Sequence, residues 1–571
     1  MSSSGSAPLN IMVMTEGCEQ QFEQLKTHLE TCVGANQYSI YPLSTTTYGS
    51  PWQSSCKAVL IPAEVQPSDW SVLDAYLNAG GCVVSFNSKW NHFRGFPYPV
   101  GISPGSLIQV KLFLDPTSSP FYVTSICNEE DATSQEGITS DSKVLAKAVL
   151  EQEDAVTMAI SVKGVGMMCY MDLISHNAQC DDTRSLEDDA PPRRDALRQL
   201  LGTVGINCSD QPPPPLSLCY LLASDKNLVE QFLQKAIASG SLRNDIIVGK
   251  ENKVEIVLRD GRGGLPVDIS PALNHIYLLP HPTDGELIGL PFDVTVYLSH
   301  LQTKILGRTI IYSPVIASTQ TLFTGNIPFT ESFPAELGTI AVASQQMRGK
   351  GRTGNTWISP QGCLMFTLLL KLKSQSRLAS HITILQHLVA LSFVDGVKSL
   401  KGYEELDLRI KWPNDIYYGS KEKAKKIGGV LITTHAMGNI VTAAIGCGVN
   451  INNAYPTVSL NSCIEVYNKE TGSSLQLLTL EPLLATTVKK MEDILHEYEN
   501  NELDKLLPLY YHYWLHGSAT VQVEGKEATI IGIDDYGYLR VQFSDRKIAT
   551  LHPDGNSFDL MQGLITLKSH N

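Results

Sequence analysis

No C-x-x-C pair and no histidine cluster at ligand spacing occur among the 12 cysteines and 14 histidines of this 571-residue sequence. The scattered cysteines therefore read as reduced core thiols rather than disulfides or a zinc site. Long apolar runs are also missing. The nearest candidate, CLMFTLLL from Cys363 to Leu370, stops at Lys371, far short of the ~20 residues of a membrane span, so a soluble protein without a membrane partner is expected. Positive charge is scarce: 44 Lys and Arg stand against 58 Asp and Glu, a net charge of -14. Neutralising phosphates needs a positive field over a whole face, so no nucleic-acid partner is expected. The first basic residue is Lys26; the stretch before it has neither the charged start of a secretory signal nor an Arg-rich presequence. The cytoplasm is the expected compartment, with a mitochondrial pool as the alternative. A G-x-x-x-x-G-K-[ST] phosphate loop is absent, as are the H-R-D and D-F-G motifs of a kinase.

What is present suits an ordinary globular chain, 43% hydrophobic and 18% charged, long enough for roughly three to four domains. Within an N-terminal domain over 1–208, residues 9–90 alternate apolar strands (LNIMVM, AVLIPA, CVVSF) with helical stretches, a βα pattern that predicts a mostly parallel sheet. Further strands are expected at AVTMAISV and VGMMCYMDLI. The run of Pro212 to Pro215 reads as a stiff linker over 209–215. Residues 216–300 form an intermediate region of unknown role, with a helix at NLVEQFLQKAIAS and strands at KVEIVLRD and DVTVYL. Residues 301–507 have long strands with glycine turns. Residues 508–571 have short strands separated by EGK, DDYG and SDRK, which predicts a small β-barrel.

The stretch QQMRGKGRTGNTW spells G-x-G-x-x-G with Gly349, Gly351 and Gly354. A dinucleotide-binding turn must open a helix and be followed by an acidic residue about 20 positions on. Here Pro360 and Gly362 oppose a helix, and no Asp or Glu occurs between Glu336 and Asp395. The same interval holds six cations: Arg348, Lys350, Arg352, Lys371, Lys373 and Arg377. Such a loop suits an anion, since glycines bring backbone N–H groups close and Arg352 can grip a carboxylate or phosphate bidentately. The bland alternative is a solvated basic loop.

Three other segments add to it. LDLRIKWPND reads as a half-buried strand ended by Pro413, leaving Asn414 and Asp415 either to hold a cation or nucleotide or to form a simple turn. KAKKIGGVLITTHAMGNIVTAAIGCGVNI reads as a hairpin about HAMGN, with Lys426, Gly428 and Gly429 on one strand and Gly446, Gly448 and Asn450 on the other. Ser318 and Thr319 stand where a strand passes into a helix, able to cap it or to bind a polar ligand.

Together, GKGRTGNTW, IKWPNDIYY, KIGGVLI, IGCGVNIN and the terminal LHPDGNSFDL resemble the biotin protein ligase family, in its eukaryotic holocarboxylase synthetase branch, over about Leu301 to Asn571. The resemblance implies a class II synthetase-like mixed-sheet catalytic domain and a C-terminal SH3-like barrel. It also implies formation of biotinyl-5′-AMP from biotin and ATP with Mg²⁺, then transfer of biotin to a lysine of biotin-dependent carboxylases: acetyl-CoA, pyruvate, propionyl-CoA and methylcrotonyl-CoA carboxylase. Position by position, it places biotin contacts at Ser318, Thr319, Gln320, Gln346, Lys350, Gly351, Arg352, Lys426 and Gly429. Nucleotide contacts fall on Gly349, Arg352, Gly354, Trp357, Asn414 and Asn450. Arg352, Lys426 and Asp415 become the catalytic set, with Asp415 either a metal ligand or a proton acceptor. Lys350 replaces an arginine and Gln320 an asparagine of the family pattern. Residues 1–208 resemble a glutamine-amidotransferase-like domain in which AGGCVVSFNS matches the nucleophile turn, but Asn87 replaces the cysteine and Ser85 a glycine, so a binding role is implied. The reading from a different class is a non-catalytic biotin- or adenylate-binding regulatory scaffold. A βα N-terminus with acidic charge speaks against a DNA-binding helix-turn-helix.

Overall fold

The computed structural model describes residues 214–553 except 259–268, 353–355, 421–423, 454–457, 501–502 and 524, and the strands at 556–559 and 564–567. Nearer the N-terminus it describes 10–15, 38–45, 56–62, 71–79, 81–85, five further strands between 107 and 171, and scattered positions within 22–53 and 197–208. Two compact units result, Met1–Pro213 and Pro214–Asn571.

The first unit is built on nine strands: β1 (Asn10–Met14), β2 (Ser39–Leu43), β3 (Cys56–Ile61), β4 (Cys82–Ser85), β5 (Leu107–Phe113), β6 (Phe121–Ile126), β7 (Lys143–Leu150), β8 (Glu153–Lys163) and β9 (Gly166–Met171). Their order is β2-β1-β3-β4-β9-β8-β7-β5-β6. The first five in that order pair in parallel, and the remainder are antiparallel. β1 and β3 are apolar on both faces and almost wholly buried, as a covered parallel sheet requires. The parallel pairing expected from residues 9–90 is present in β1 to β4, but the antiparallel half corrects the expectation of a parallel α/β domain over all of 1–208: the two-residue connections β7–β8 and β8–β9 are too short for a crossover helix. Ser85 ends β4, and Asn87 lies outside the described residues.

In the second unit an eleven-stranded mixed sheet runs β11-β12-β13-β10-β14-β15-β16-β20-β19-β18-β17. Its strands are β10 (Cys219–Ala223), β11 (Ile246–Val248), β12 (Lys253–Ile256), β13 (His275–Pro280), β14 (Thr309–Ile316), β15 (Ile340–Gln346), β16 (Cys363–Lys373), β17 (Leu408–Lys411), β18 (Asp415–Tyr418), β19 (Lys425–Met437) and β20 (Ile440–Asn450). The division expected at residue 300 has no counterpart in this sheet. β10 lies parallel to β13 and antiparallel to β14, with Tyr220 opposite Tyr312. The helix Lys226–Ala238 buries Val229, Phe232 and Ala236, and the Phe232 ring stacks on Phe333 at 4.3 Å. DVTVYL is also not a strand. Asp293 accepts from Thr295 N and Val296 N, and this cap starts a helix over Val294–His300 despite its β-branched residues.

The last six strands, β21 (Thr520–Val523), β22 (Lys526–Ile533), β23 (Leu539–Phe543), β24 (Ile548–Leu551), β25 (Asn556–Asp559) and β26 (Leu564–Leu567), form a separate sheet in the order β24-β23-β22-β21-β26-β25. Its inner residues Val521, Ile530 and Val541 join one buried cluster with Ile410, Trp412 and the helices Leu385–Lys398 and Leu480–Glu499. Among the described residues no helix is long and apolar enough to cross a membrane.

Two histidines are sealed into this core. Burial pushes His387 down to about 3 and His516 down to about 4, so both are neutral when folded and gain protons on unfolding. Stability is expected to be full above about pH 6.5 and to fall as pH drops from there towards about 4, read as a lower urea midpoint at about pH 5 than at about pH 7. Asp293→Ala is expected to cost about 1 kcal/mol in the same measurement.

Candidate functional site

Four segments of the second unit meet on one face of the β15–β16–β20–β19 sheet. The first is the strand-to-helix turn after β14. Ser318 accepts from Gln320 N at 3.2 Å and Thr321 N at 3.4 Å, capping the helix Thr319–Thr324. Gln346, at the end of β15, takes the next helix donors: its Oε1 accepts from Thr319 N at 2.7 Å and Thr319 Oγ1 at 3.1 Å. Thr367 Oγ1 donates to Thr319 Oγ1 at 2.9 Å. Ser318, Thr319, Gln320, Gln346 and Thr367 are all buried, and this hydrogen bonding is what makes such a polar cluster tolerable. Gln320 crosses to the hairpin, its Nε2 donating to Ala444 O at 3.0 Å and Thr433 Oγ1 at 3.1 Å.

The glycine loop is the second segment. Gly349 O accepts from Trp357 N at 2.9 Å, and a Cβ at Gly349 would stand 2.3 Å from the Trp357 carbonyl, so the loop closes only on glycine. Lys350 turns towards Glu251, 3.7 Å away in the turn between β11 and β12. That neighbour comes from the region 216–300, far in sequence from the acid-free interval that holds the loop. Gly351 follows Lys350, and Gly354 lies outside the described residues. Arg352 Nη1 donates to Asn414 Oδ1 at 3.2 Å.

Asn414 and Asp415 form the third segment. Asp415 is the first residue of β18, opposite Lys411 and Gly429, rather than the end of the preceding strand. The turn before it holds Pro413, joined by a cis peptide bond. Asn414 Nδ2 donates to Val430 O at 2.6 Å. The fourth segment is the hairpin. Lys426 Nζ lies 2.7 Å from Asp415 Oδ1 and 5.5 Å from the centre of the Trp357 ring. With Lys426 40% exposed, the ion pair is worth ~1 kcal/mol or less after screening, and a stronger anion can displace it. Gly448 and Gly429 make room here: a Cβ at Gly448 would meet Trp357 Nε1 at 2.6 Å and one at Gly429 would meet Asp415 Oδ1 at 3.2 Å. Asn450 Oδ1 accepts from Asn453 Nδ2 at 3.0 Å and from the Cys363 thiol at 3.2 Å.

The structure thus brings together Ser318, Thr319, Gln320 and Gln346 as one buried cluster, and Arg352, Asn414, Asp415, Lys426 and Trp357 as a second, more exposed one. Lys350 sits apart, on Glu251. Asp415 does not stand in a metal cage: its Oδ1 faces an ammonium, and among the described residues no three metal-ligating side chains gather. Two residues escaped the sequence reading, Ser359, which accepts from Gln346 Nε2 at 3.1 Å, and Thr367. A lone hydroxyl inside the apolar run CLMFTLLL was the available signal for the latter.

Comparison with known proteins gives consistent matches. The Biotin/lipoate A/B protein ligase family matches residues 312–450. A human biotin--protein ligase is 31% identical over 593 residues, spanning 99% of this chain and 78% of its own length. A Schizosaccharomyces pombe biotin--protein ligase is 35% identical over 296 residues, 49% of this chain and 47% of its own. Among solved structures, a biotin protein ligase from Aquifex aeolicus in complex with biotin and ATP covers 46% of this chain and 99% of its own at 20% identity, with a TM-score of 0.32.

The fit between Gln320 and the hairpin is testable. A Cβ at Gly446 would lie 2.5 Å from Gln320 Oε1, so Gly446→Ala is expected to destabilise by roughly 1–3 kcal/mol in chemical denaturation. Adding Gln320→Ala should recover part of that loss, since it removes the obstructing atom.

Proposed function

This chain belongs to the biotin/lipoate A/B protein ligase family, and we propose on that premise that its second unit works as a biotin protein ligase, joining biotin to ATP and then to a lysine of an acceptor protein. The observation that carries the reading is the arrival of Arg352 and Lys426 on consecutive residues of one turn, Asn414 and Asp415. In the first step a biotin carboxylate oxygen bonds to the α-phosphorus of ATP as the bond to pyrophosphate breaks. Carboxylate and phosphate repel, so positive charge must stand between them. Arg352 carries five N–H donors, one of them on Asn414, and Lys426 carries three, one of them on Asp415; a charged substrate oxygen can share or displace such contacts.

The buried group of Ser318, Thr319, Gln320 and Gln346 suits the neutral polar end of biotin, and Trp357 with Gly448 suits a flat base. Gly349, Gly354 and Asn450 complete the nucleotide side, and Gly351 belongs with the biotin contacts. Asp415 serves chiefly to fix the Lys426 ammonium, and only secondarily, once that pair opens, as acceptor for the lysine proton of the second step. Mg²⁺ does not fit a protein-held cage here. One carboxylate shared with an ammonium is too little, so the ion would arrive on the phosphates.

Acceptors are the biotin-dependent carboxylases named by the resemblance: acetyl-CoA, pyruvate, propionyl-CoA and methylcrotonyl-CoA carboxylase. The eleven-stranded mixed sheet is read as class II synthetase-like and the six-stranded sheet as an SH3-like barrel, supported by its short strands and tight turns. The N-terminal unit is read as amidotransferase-like without a nucleophile, supported by the parallel run of β2-β1-β3-β4-β9. A cytoplasmic setting, with a mitochondrial pool, is supported by eight described cysteines that all remain free thiols.

Biotin-dependent ATP/pyrophosphate exchange, followed by transfer to an apo-carboxylase biotin domain, tests the reading. Arg352→Ala and Lys426→Ala are each expected to lower exchange by about 10²-fold or more, while Asn87→Ala leaves it intact. Wild-type exchange in Arg352→Ala would remove this residue from the reaction.

A further inference from the structure

The turn that carries Asn414 and Asp415 is held from two sides. On one, Val430 of β19 donates its N–H to Asn414 O at 2.9 Å and accepts Asn414 Nδ2 at 2.6 Å. On the other, the support comes from 125 residues further along the chain: Trp412, 1% exposed, donates its indole N–H to Gly537 O at 2.8 Å. Two residues before Trp412, Ile410 is tied by both backbone groups, its N–H donating to Tyr513 O at 2.8 Å and its carbonyl accepting from Leu515 N at 2.9 Å.

The accepting carbonyl is itself aimed. Gly537 N donates to Asp534 O at 2.9 Å, and Asp534 N donates to Tyr538 O at 2.9 Å. Asp534 Oδ1 accepts from Tyr536 N at 3.0 Å and Tyr538 N at 2.9 Å. Gly537 has φ +80° and a Cβ there would stand 2.5 Å from the buried His387 ring, so only glycine fits both the conformation and the space. The connection runs from the C-terminal turn through the indole to Asn414, and from Asn414 to Arg352.

We propose that Trp412, Asp534 and Gly537 are positioning residues for adenylate formation: the β22–β23 turn of the C-terminal sheet sets, through the Trp412 indole, where Asn414 and Asp415 stand and hence where Arg352 and Lys426 present their charge. The proposal rests on the reading of those two cations as the groups that serve the ATP-dependent step. A displacement of a catalytic group by ~1 Å can cost on the order of 10²-fold in rate. The loss of one hydrogen bond between elements that share a large apolar core leaves the fold in place. Rate should therefore respond more than stability.

The full chain decides it. Trp412→Phe keeps a buried aromatic ring and deletes the single donor. Asp534→Ala opens the turn, and Asp534→Asn keeps an acceptor oxygen. Trp412→Phe and Asp534→Ala are expected to lower kcat of biotin-dependent ATP/pyrophosphate exchange by roughly 10- to 100-fold. KM for biotin should change much less than kcat, because the Ser318–Gln346 cluster, which holds the other end of biotin, lies outside this chain of contacts. Asp534→Asn should recover most of the rate. Should Trp412→Phe fail to fold, the Asp534 pair still separates the outcomes. Unchanged kcat per folded molecule with only a lower melting temperature overturns the proposal, as does an Asp534→Asn enzyme as slow as Asp534→Ala. A wild-type chain without exchange would instead overturn the ligase reading, and that result is obtained before any substitution is made.

Discussion

Two cations cannot be kept close together unless each is given something to lean on, and the Asn414–Asp415 turn supplies both supports. Arg352 rests on a neutral amide oxygen and Lys426 on a carboxylate. The two supports differ. An amide oxygen orients a guanidinium, whereas a carboxylate both orients and partly offsets an ammonium. Everything else around the turn keeps these supports in register: β17 and β18 carry it, β19 bonds to it, and the glycines of the hairpin keep bulk away from it.

Much of this site was legible because its residues are chemically odd for their surroundings. A basic glycine loop without acids, a Pro-Asn-Asp after a strand and small residues along an apolar hairpin each mark a place where packing alone does not explain the choice. The hairpin followed directly from apolar runs flanking HAMGN. Harder to see were contacts between distant segments. Nothing in Lys350 announces Glu251, and nothing in Trp412 announces Gly537, because these pairings arise from tertiary closure.

Secondary structure failed where local and distant forces disagree. DVTVYL has the branched residues of a strand, yet one aspartate at its start satisfies two backbone donors and turns it into a helix. The antiparallel half of the N-terminal sheet is not legible in the βα alternation of residues 9–90, because the strands that form it begin only at β5. The intermediate region holds no motif, so nothing in its sequence ties it to the strands that follow. Its strands are short, but their partners lie in the catalytic sheet.

That last arrangement bears on how the molecule is divided. β10 lies between β13 and β14, so the strand that leads to Ser318 is interior only because residues before 300 cover its flank. A fragment starting at the apparent onset of the family resemblance would leave β14 as a bare rim, its row of backbone donors and acceptors offered to any passing chain. Insolubility of such a fragment would then report a missing neighbour, not a defect in the active half.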